Sequence, residues 1–209
     1  MKKRTAQLKR KTKETEITVK LNIDGSGKSK INTGIGILDH MLDLFAFHGL
    51  FDLDIFAKGD FKIDIHHTNE DVGIVLGQAF KKALGDKEGI KRFGSASVPM
   101  EDVTANVALD ISGRGSFKLA QPVSFVVPIG EKQENGKYDL VDAEHFFESF
   151  AKHLGMNFNV TLINNPLTVA VDWHAILEPI FKALGIALDQ ATQIDPRRKG
   201  IPSTKGVID

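Results

Sequence analysis

The feature that most constrains the fold is an internal repeat built around histidines. Residues 39–48 read DHMLDLFAFH and residues 144–153 read EHFFESFAKH. Both segments begin with an acid and a histidine, continue with two apolar residues and an acid, and end in Phe-Ala-x-His. The preceding segments also match, because LNIDGSG at 21–27 resembles LDISGRG at 109–115. A repeat of this kind predicts two similar halves of about 90–100 residues each.

Two short alternating segments follow each repeated helix and predict a β-hairpin. Their apolar positions are Phe51, Leu53 and Ile55 then Phe61, Ile63 and Ile65 in the first half, and Phe158, Val160 and Leu162 then Leu167, Val169 and Val171 in the second. A helical segment ends each half. The prediction is an α+β fold (an α/β sandwich) of duplicated β-β-α-β-β-α halves, with the helices packed on four-stranded sheets.

The halves are predicted to cover residues 1–90 and 91–195, with a C-terminal tail at 196–209. Only the turn-rich segment GDKEGIKRFGS lies between the halves. No low-complexity segment interrupts the chain.

Composition narrows the class of protein. Lys plus Arg equals Asp plus Glu at 27 each, so no global charge favours binding to nucleic acid or to a membrane. No apolar run reaches the roughly 20 residues that span a bilayer. The chain has no cysteine, which excludes disulfides and thiolate metal sites. We expect a cytoplasmic protein that holds any metal through His, Asp or Glu.

Both predicted hairpins lead into a His-x-x-x-Glu segment, His66 to Glu70 and His174 to Glu178. Residues four apart lie on one face of a helix, so each pair can present one nitrogen and one oxygen ligand. A single pair of this kind is usually only an exposed helix pair. Two pairs at equivalent places of a repeat indicate metal binding.

The remaining histidines differ in what they suggest. His40 and His145 occupy equivalent places at the start of the repeated helices and are candidate ligands. Because His67 directly follows His66, the two side chains point about 100° apart on a helix and suit two separate metals. His48 and His153 lack a carboxylate partner and are interpreted as structural or surface residues.

Several motifs together resemble the imidazoleglycerol-phosphate dehydratases of histidine biosynthesis. They are DHMLDLFAFHG, GDFKIDIHHTNEDVGIVLGQAF, ALGDKEGIKRFG, LDISGRG, EHFFESF and IPSTKG. The similarity runs from about residue 4 to residue 205. It implies a ribosomal protein S5 domain 2-like fold and a hydro-lyase that converts imidazole glycerol phosphate to imidazole acetol phosphate and water. It also implies two manganese ions per site and an octahedral homo-oligomer with active sites at subunit boundaries.

The resemblance also implies a ligand set for each metal. One ion would be held by His66, His145, His174 and Glu178, and the other by His40, His67 and Glu70. A deprotonated imidazole held between two divalent metals could act as the electron sink for the elimination, since metals act as Lewis acids and as templates.

The chain departs from the family around the second ion. Ala175 stands where the family has a further histidine ligand, Asp172 where it has an asparagine, and Asn159 where a preceding strand has a histidine. We therefore expect one tightly held metal and a second one held mainly with substrate present. An Ala175→His substitution is expected to raise the occupancy of the weaker site.

By the same resemblance, Glu14 is the candidate general base, with Glu70 and Glu178 as the other catalytic carboxylates. An exposed acid in a charged strand is the alternative interpretation of Glu14. The predicted phosphate-binding residues are Arg92, Arg114, Lys182, Ser203 and Lys205, because phosphate needs fixed positive charge and hydrogen-bond donors.

Two other classes of function stay open at this point. The departures at Ala175 and Asn159 suit a weakened or repurposed homologue that still binds metal and assembles. Duplicated α/β halves also occur in nucleic-acid-binding modules, although the neutral charge and the lack of aromatic-basic clusters disfavour that class.

Overall fold

Two four-stranded sheets, one two-stranded sheet and four helices are present in the described part of the chain, which comprises residues 3–120, 131–133, 136–164 and 173–208 of a computed structural model. The first half contains β1 (Thr5–Lys11), β2 (Glu16–Asn22), β3 (Ser29–Asn32), α1 (Gly36–His48), β4 (Asp52–Lys58) and α2 (His66–Leu84). The second half contains β5 (Phe93–Met100), β6 (Val103–Asp110), β7 (Ser116–Ala120), β8 (Glu131–Gln133), β9 (Gly136–Tyr138), α3 (Leu140–Leu154), β10 (Asn157–Asn164) and α4 (Trp173–Thr192).

The two sheets have the same topology, which confirms the predicted duplication. Their strand orders are β1-β2-β4-β3 and β5-β6-β10-β7. In each sheet the first three strands run antiparallel, and the short edge strand pairs in parallel. The small β8–β9 hairpin belongs to the second half alone. The boundaries at 90/91 and 195/196 stay predictions.

The α+β class is confirmed, but the predicted hairpin of the first half is wrong. Residues 61–63 form a turn, and Ile63 is 70% exposed. The carboxylate of Asp64 accepts a hydrogen bond from the backbone N–H of His66 at 2.8 Å, so the chain begins α2 at this point instead of a strand. The first half therefore has the order β-β-β-α-β-α, and β3 supplies the fourth strand of its sheet.

The second predicted hairpin is only half described. Its first strand is β10, where Phe158, Val160 and Leu162 alternate into the core as predicted. The segment of Leu167, Val169 and Val171 lies outside the described residues.

The helices pack between the two sheets, and each pairs with a helix of the other half. α2 lies on β1 and β2 and contacts α3, whereas α4 lies on β5 and β6 and contacts α1. Phe45, Phe80 and Phe150 come from three different helices and meet with ring centroids 5.7–6.0 Å apart. This aromatic layer joins the halves into one core.

Glycines allow the paired helices to approach closely. A Cβ on Gly77 of α2 would lie 2.7 Å from the carbonyl oxygen of Phe150 on α3, and a Cβ on Gly185 of α4 would lie 2.5 Å from that of Phe45 on α1. Gly77 and Gly185 each stand eleven residues after the histidine of a His-x-x-x-Glu pair. The two crossings are therefore equivalent in the repeat.

Among the described residues, no helix combines the length and apolar character that crossing a membrane requires.

The tight crossing predicts the effect of a methyl group at Gly77. Gly77→Ala adds helix propensity, a gain of about 1 kcal/mol, but overpacking a close contact costs about 1–3 kcal/mol. We expect a net loss in free energy of unfolding and a lower urea midpoint. Lys81→Ala on the exposed face of α2 is the matched control. A variant more stable than the wild type would contradict the close approach.

Candidate metal centre and active site

The first cluster of metal-binding side chains joins α2 to α3 and consists of His66, Glu70 and His145. The Nδ1 atoms of His66 and His145 lie 3.2 Å apart, and the ring centroids lie 4.7 Å apart. His66 Nε2 is 3.7 Å from Glu70 Oε2, one helical turn further along. A cavity of about 210 Å³ adjoins these residues and also touches Glu148 and Ser149. We call this group the α2/α3 cluster.

The second cluster joins α1 to α4 and consists of His40, His174 and Glu178. His40 Nε2 lies 3.1 Å from Glu178 Oε1, and the rings of His40 and His174 have centroids 5.9 Å apart. Lys182 donates a hydrogen bond of 2.7 Å to the other oxygen of Glu178. Burial raises the pKa of Glu178, but the hydrogen bonds from Lys182 and His40 outweigh it, so the pKa lies below its ordinary value. We call this group the α1/α4 cluster.

The two clusters are equivalent in the repeat. His66 and His174 correspond, as do Glu70 with Glu178 and His145 with His40. The helix crossings at which Gly77 and Gly185 allow a close approach also bring the members of each cluster together. Each predicted ligand set draws on both clusters, since it combines His66 and His145 with His174 and Glu178, or Glu70 with His40. Within one chain, the structure brings together the members of each cluster. It does not bring together the ligands that were predicted for one metal.

His67 faces away from His66 and has carboxylate neighbours of its own. Its Nδ1 lies 3.0 Å from Asp60 Oδ2 and 4.0 Å from Glu14 Oε2. The hydrogen bond to Asp60, followed by the negative charge of Glu14, raises the pKa of His67. Donation from Nδ1 to a carboxylate fixes the tautomer in which Nε2 is free to bind a metal.

The donor geometry of both clusters fits a divalent cation. Ligands about 2.1 Å from an octahedral ion stand at right angles and so lie about 3 Å apart. The facing nitrogens of His66 and His145, 3.2 Å apart, and the His40–Glu178 pair, 3.1 Å apart, have this spacing. Imidazole and carboxylate donors without thiolate suit manganese or zinc. Within the described residues, no group of three or more His, Asp or Glu side chains is arranged to hold an ion in one chain.

The residues at which this chain differs from the family lie in different surroundings. Ala175 is 1% exposed, so a histidine there would have to displace neighbouring core atoms in order to reach the second ion. Asn159 pairs with Ala108 on β6 and lies on the exposed outer face of the second sheet. Asp172 lies outside the described residues.

The candidate phosphate-binding residues fall into two places. Arg92 directs Nε and Nη2 at the carboxylate of Asp110, at 2.6 and 3.0 Å, and Nη1 at the carbonyl of Pro202, at 3.0 Å. Three of its five N–H donors are thus used, which leaves two for a ligand. The hydrogen bond from Arg92 to Pro202 holds the C-terminal tail, which carries Ser203 and Lys205, next to Arg92.

Arg114 lies in the loop that follows β6, at the same end of the second sheet as Arg92. It is exposed and follows the strand that ends in Asp110, and its backbone N–H is fixed by the hydroxyl of Ser112 at 3.2 Å. Lys182 lies elsewhere, one turn after Glu178 in the α1/α4 cluster.

Sequence reasoning missed the side chains that hold the site residues in place. Three carboxylates do this through hydrogen bonds to residues that are distant in sequence or separated by a turn. Asp60 contacts His67, Asp71 contacts the turn that carries Glu14, and Asp110 contacts Arg92. Asn69 is another such side chain, since it donates to the carbonyl of Asp142 on α3 at 2.6 Å. The available signal was that Asn69 and Asp71 stand inside the motif HHTNED, Asp60 in GDFKIDIHH and Asp110 in LDISGRG.

Comparisons with known proteins agree with this geometry. The model of the family described as imidazoleglycerol-phosphate dehydratase matches residues 33–188. A dehydratase of that name from Caldanaerobacter subterraneus is 50% identical over 98% of this chain and 100% of its own length. The one from Geobacter metallireducens is 49% identical over 98% and 99%.

Solved structures give the same result. The enzyme from Pyrococcus furiosus matches with a TM-score of 0.76 and 34% identity, covering 96% of this chain and 99% of that one. The Staphylococcus aureus enzyme matches with a TM-score of 0.74 and 31% identity over 91% and 99%. The predicted resemblance, the hydro-lyase class and the role in histidine biosynthesis are confirmed. Because the relatives match over nearly the entire length, the chain belongs to the imidazoleglycerol-phosphate dehydratase family.

Proposed function

We propose that the chain dehydrates imidazole glycerol phosphate to imidazole acetol phosphate in a site that two or more chains build together. The observation that carries this proposal is the pair of equivalent histidine–carboxylate clusters, each incomplete, in a chain of this family.

Two manganese ions per site would be held by the α2/α3 cluster, the α1/α4 cluster and His67. When bound, such ions supply Lewis-acid polarisation and orientation of the substrate imidazole. The protein supplies the donor sets and fixes them on helices. The carboxylate of Asp60 accepts a hydrogen bond from the Nδ1–H of His67, which leaves Nε2 of His67 available as a metal ligand.

The dimensions of one chain support a shared site. The backbone N–H of Arg92 bonds to the carbonyl of Ala191, near the end of α4, at 2.8 Å. Glu178 lies thirteen residues earlier on the same helix, which at 1.5 Å per residue is about 20 Å along its axis. The imidazole and the phosphate of the substrate are separated only by a three-carbon chain. This separation supports a site in which the Arg92 and the Glu178 that serve one substrate come from different chains.

The predicted ligand sets indicate how chains would meet. Each set mixes residues of both clusters, so the α2/α3 cluster of one chain would face the α1/α4 cluster of its neighbour. Such a contact joins two different surfaces and is heterologous, so it generates rings or larger symmetric assemblies when its rotation closes. A homo-oligomer, octahedral as the resemblance implies, satisfies this requirement.

Glu14 is proposed as the general base. Its carboxylate is half exposed and 4.0 Å from His67 Nδ1, so it can reach a substrate whose imidazole is held at the α2/α3 cluster. It would take the carbon-bound proton, and a positioned base contributes about 10²–10⁴-fold to the rate. Glu70 and Glu178, as metal ligands, would act through the ions.

The direct test is an assay of the purified protein with imidazole glycerol phosphate. We expect activity with manganese, loss after chelation, and recovery when manganese is added back. Light scattering on the same samples should show a large assembly with metal and smaller species without it. A stable monomer with full activity would contradict the shared site, and no dehydration under any metal condition would contradict the function.

The alternative function is that of a weakened homologue that binds metal and assembles. Ala175 supports it, because the family has a further histidine ligand at this position. Metal analysis of dialysed protein tests the weaker second site on which this alternative depends: we expect one manganese per chain to be retained and a second to bind when substrate is present. Two equally retained ions would remove the basis for a weak site. Nothing in the comparisons favours the nucleic-acid-binding alternative.

Phosphate recognition is tested at Lys205. Losing a hydrogen bond to a charged group costs about 1.5–3 kcal/mol, so Lys205→Ala should raise KM by at least about tenfold and leave the metal content unchanged. Lys199→Ala, an exposed lysine of the same tail, is the matched control. An unchanged KM for Lys205→Ala would exclude the tail from the phosphate site.

A further inference from the structure

A buried carboxylate on α2 is tied to the hairpin that carries Glu14. Asp71 is only 7% exposed. Its Oδ1 accepts a hydrogen bond from Arg10 Nε at 2.9 Å, and its Oδ2 accepts one from the hydroxyl of Thr15 at 2.5 Å. A buried carboxylate is tolerated only when its oxygens are paired. Both partners come from the β1–β2 hairpin, so Asp71 fixes that hairpin to α2.

The turn of this hairpin is itself closed by hydrogen bonds. The hydroxyl of Thr12 accepts from the backbone N–H groups of Glu14 and Thr15 at 3.1 and 3.0 Å. The backbone N–H of Thr12 donates to the carbonyl of Thr15 at 2.9 Å. The backbone of Glu14 is thus held between two threonines, one of which is anchored on Asp71.

The anchor and the site share one helix. Asp71 stands four residues after His67 on α2 and therefore one turn along the same face. Any shift of the hairpin relative to Asp71 moves Glu14 relative to His67 as well. The side chain of Glu14 is 54% exposed, so the link fixes its backbone and leaves its carboxylate free to meet a substrate.

We propose that Asp71 and Thr15 are positioning residues that hold Glu14 at the carbon-bound proton of the substrate. This inference rests on the proposed function, in which Glu14 is the base. Misplacing a reacting group by about 1 Å can cost about 100-fold in rate. The buried Asp71–Thr15 contact helps to set this distance, because it joins the turn of Glu14 directly to the helix of His67, whereas the bond from Arg10 reaches Asp71 from β1.

The test uses Thr15→Val, which keeps the shape of the side chain and removes the donor to Asp71. We expect kcat to fall about 10-fold to 100-fold with KM and manganese content near those of the wild type. The deuterium isotope effect on kcat, with substrate deuterated at the carbon that loses its proton, should increase. Misplacing the base makes this proton transfer slower, whereas a smaller folded fraction lowers kcat without changing the isotope effect.

Matched variants complete the design. Thr18→Val makes the same change on the opposite face of β2 and should leave kcat within about twofold, as surface substitutions usually do. Thr15→Ser retains the hydroxyl and should restore activity. Adding Thr15→Val to Glu14→Gln should lower kcat little further, because residues that act as a unit are not additive.

The inference is overturned if Thr15→Val matches Thr18→Val, if its isotope effect stays at the wild-type value, or if manganese is lost in parallel with activity. Arg10→Gln removes the second donor to Asp71 from a part-exposed position and gives the same readout if Thr15→Val does not fold. Wild-type protein with no dehydratase activity would instead refute the proposed function.

Discussion

The close crossing of paired helices is the constraint on which the rest of the structure depends. Gly77 lets α2 approach the backbone of α3, and Gly185 lets α4 approach the backbone of α1. At these contacts a side chain larger than hydrogen would push the helices apart. The crossings bury the aromatic layer of Phe45, Phe80 and Phe150 and join the two halves into one core.

The same crossings place the candidate metal ligands. His66 and His145 meet because α2 crosses α3, and His40 meets Glu178 because α1 crosses α4. A duplication of the fold has therefore duplicated a histidine–carboxylate cluster. In the proposed assembly, unlike clusters of neighbouring chains meet, and the distance along α4 between Glu178 and the end that contacts Arg92 supports this arrangement.

Much of this was predictable from the sequence, and the limits have physical causes. The repeat predicted the equivalence of His66 with His174, because each stands four residues before a glutamate. It also predicted that of His40 with His145, because each is the second residue of the repeated helix motif. The hairpin at 61–65 failed because alternation cannot register that Asp64 binds the N–H of His66 and starts a helix. The strand β3 was missed because it is a short, half-exposed edge. The anchors Asp60, Asp71 and Asp110 depend on contacts that only the folded chain creates.

The central claim is that each active site combines the α2/α3 cluster of one chain with the α1/α4 cluster of another. The most direct measurement is activity after mixing Glu70→Gln and Glu178→Gln chains, dissociated by chelation and reassembled with manganese. Each variant alone should be inactive. In a random mixture, about one quarter of the sites would combine an intact α2/α3 cluster with an intact α1/α4 cluster from different chains, so about a quarter of the wild-type activity should return. If one chain supplied both clusters of a site, every site would carry a defect and the mixture would stay inactive, which would contradict this account.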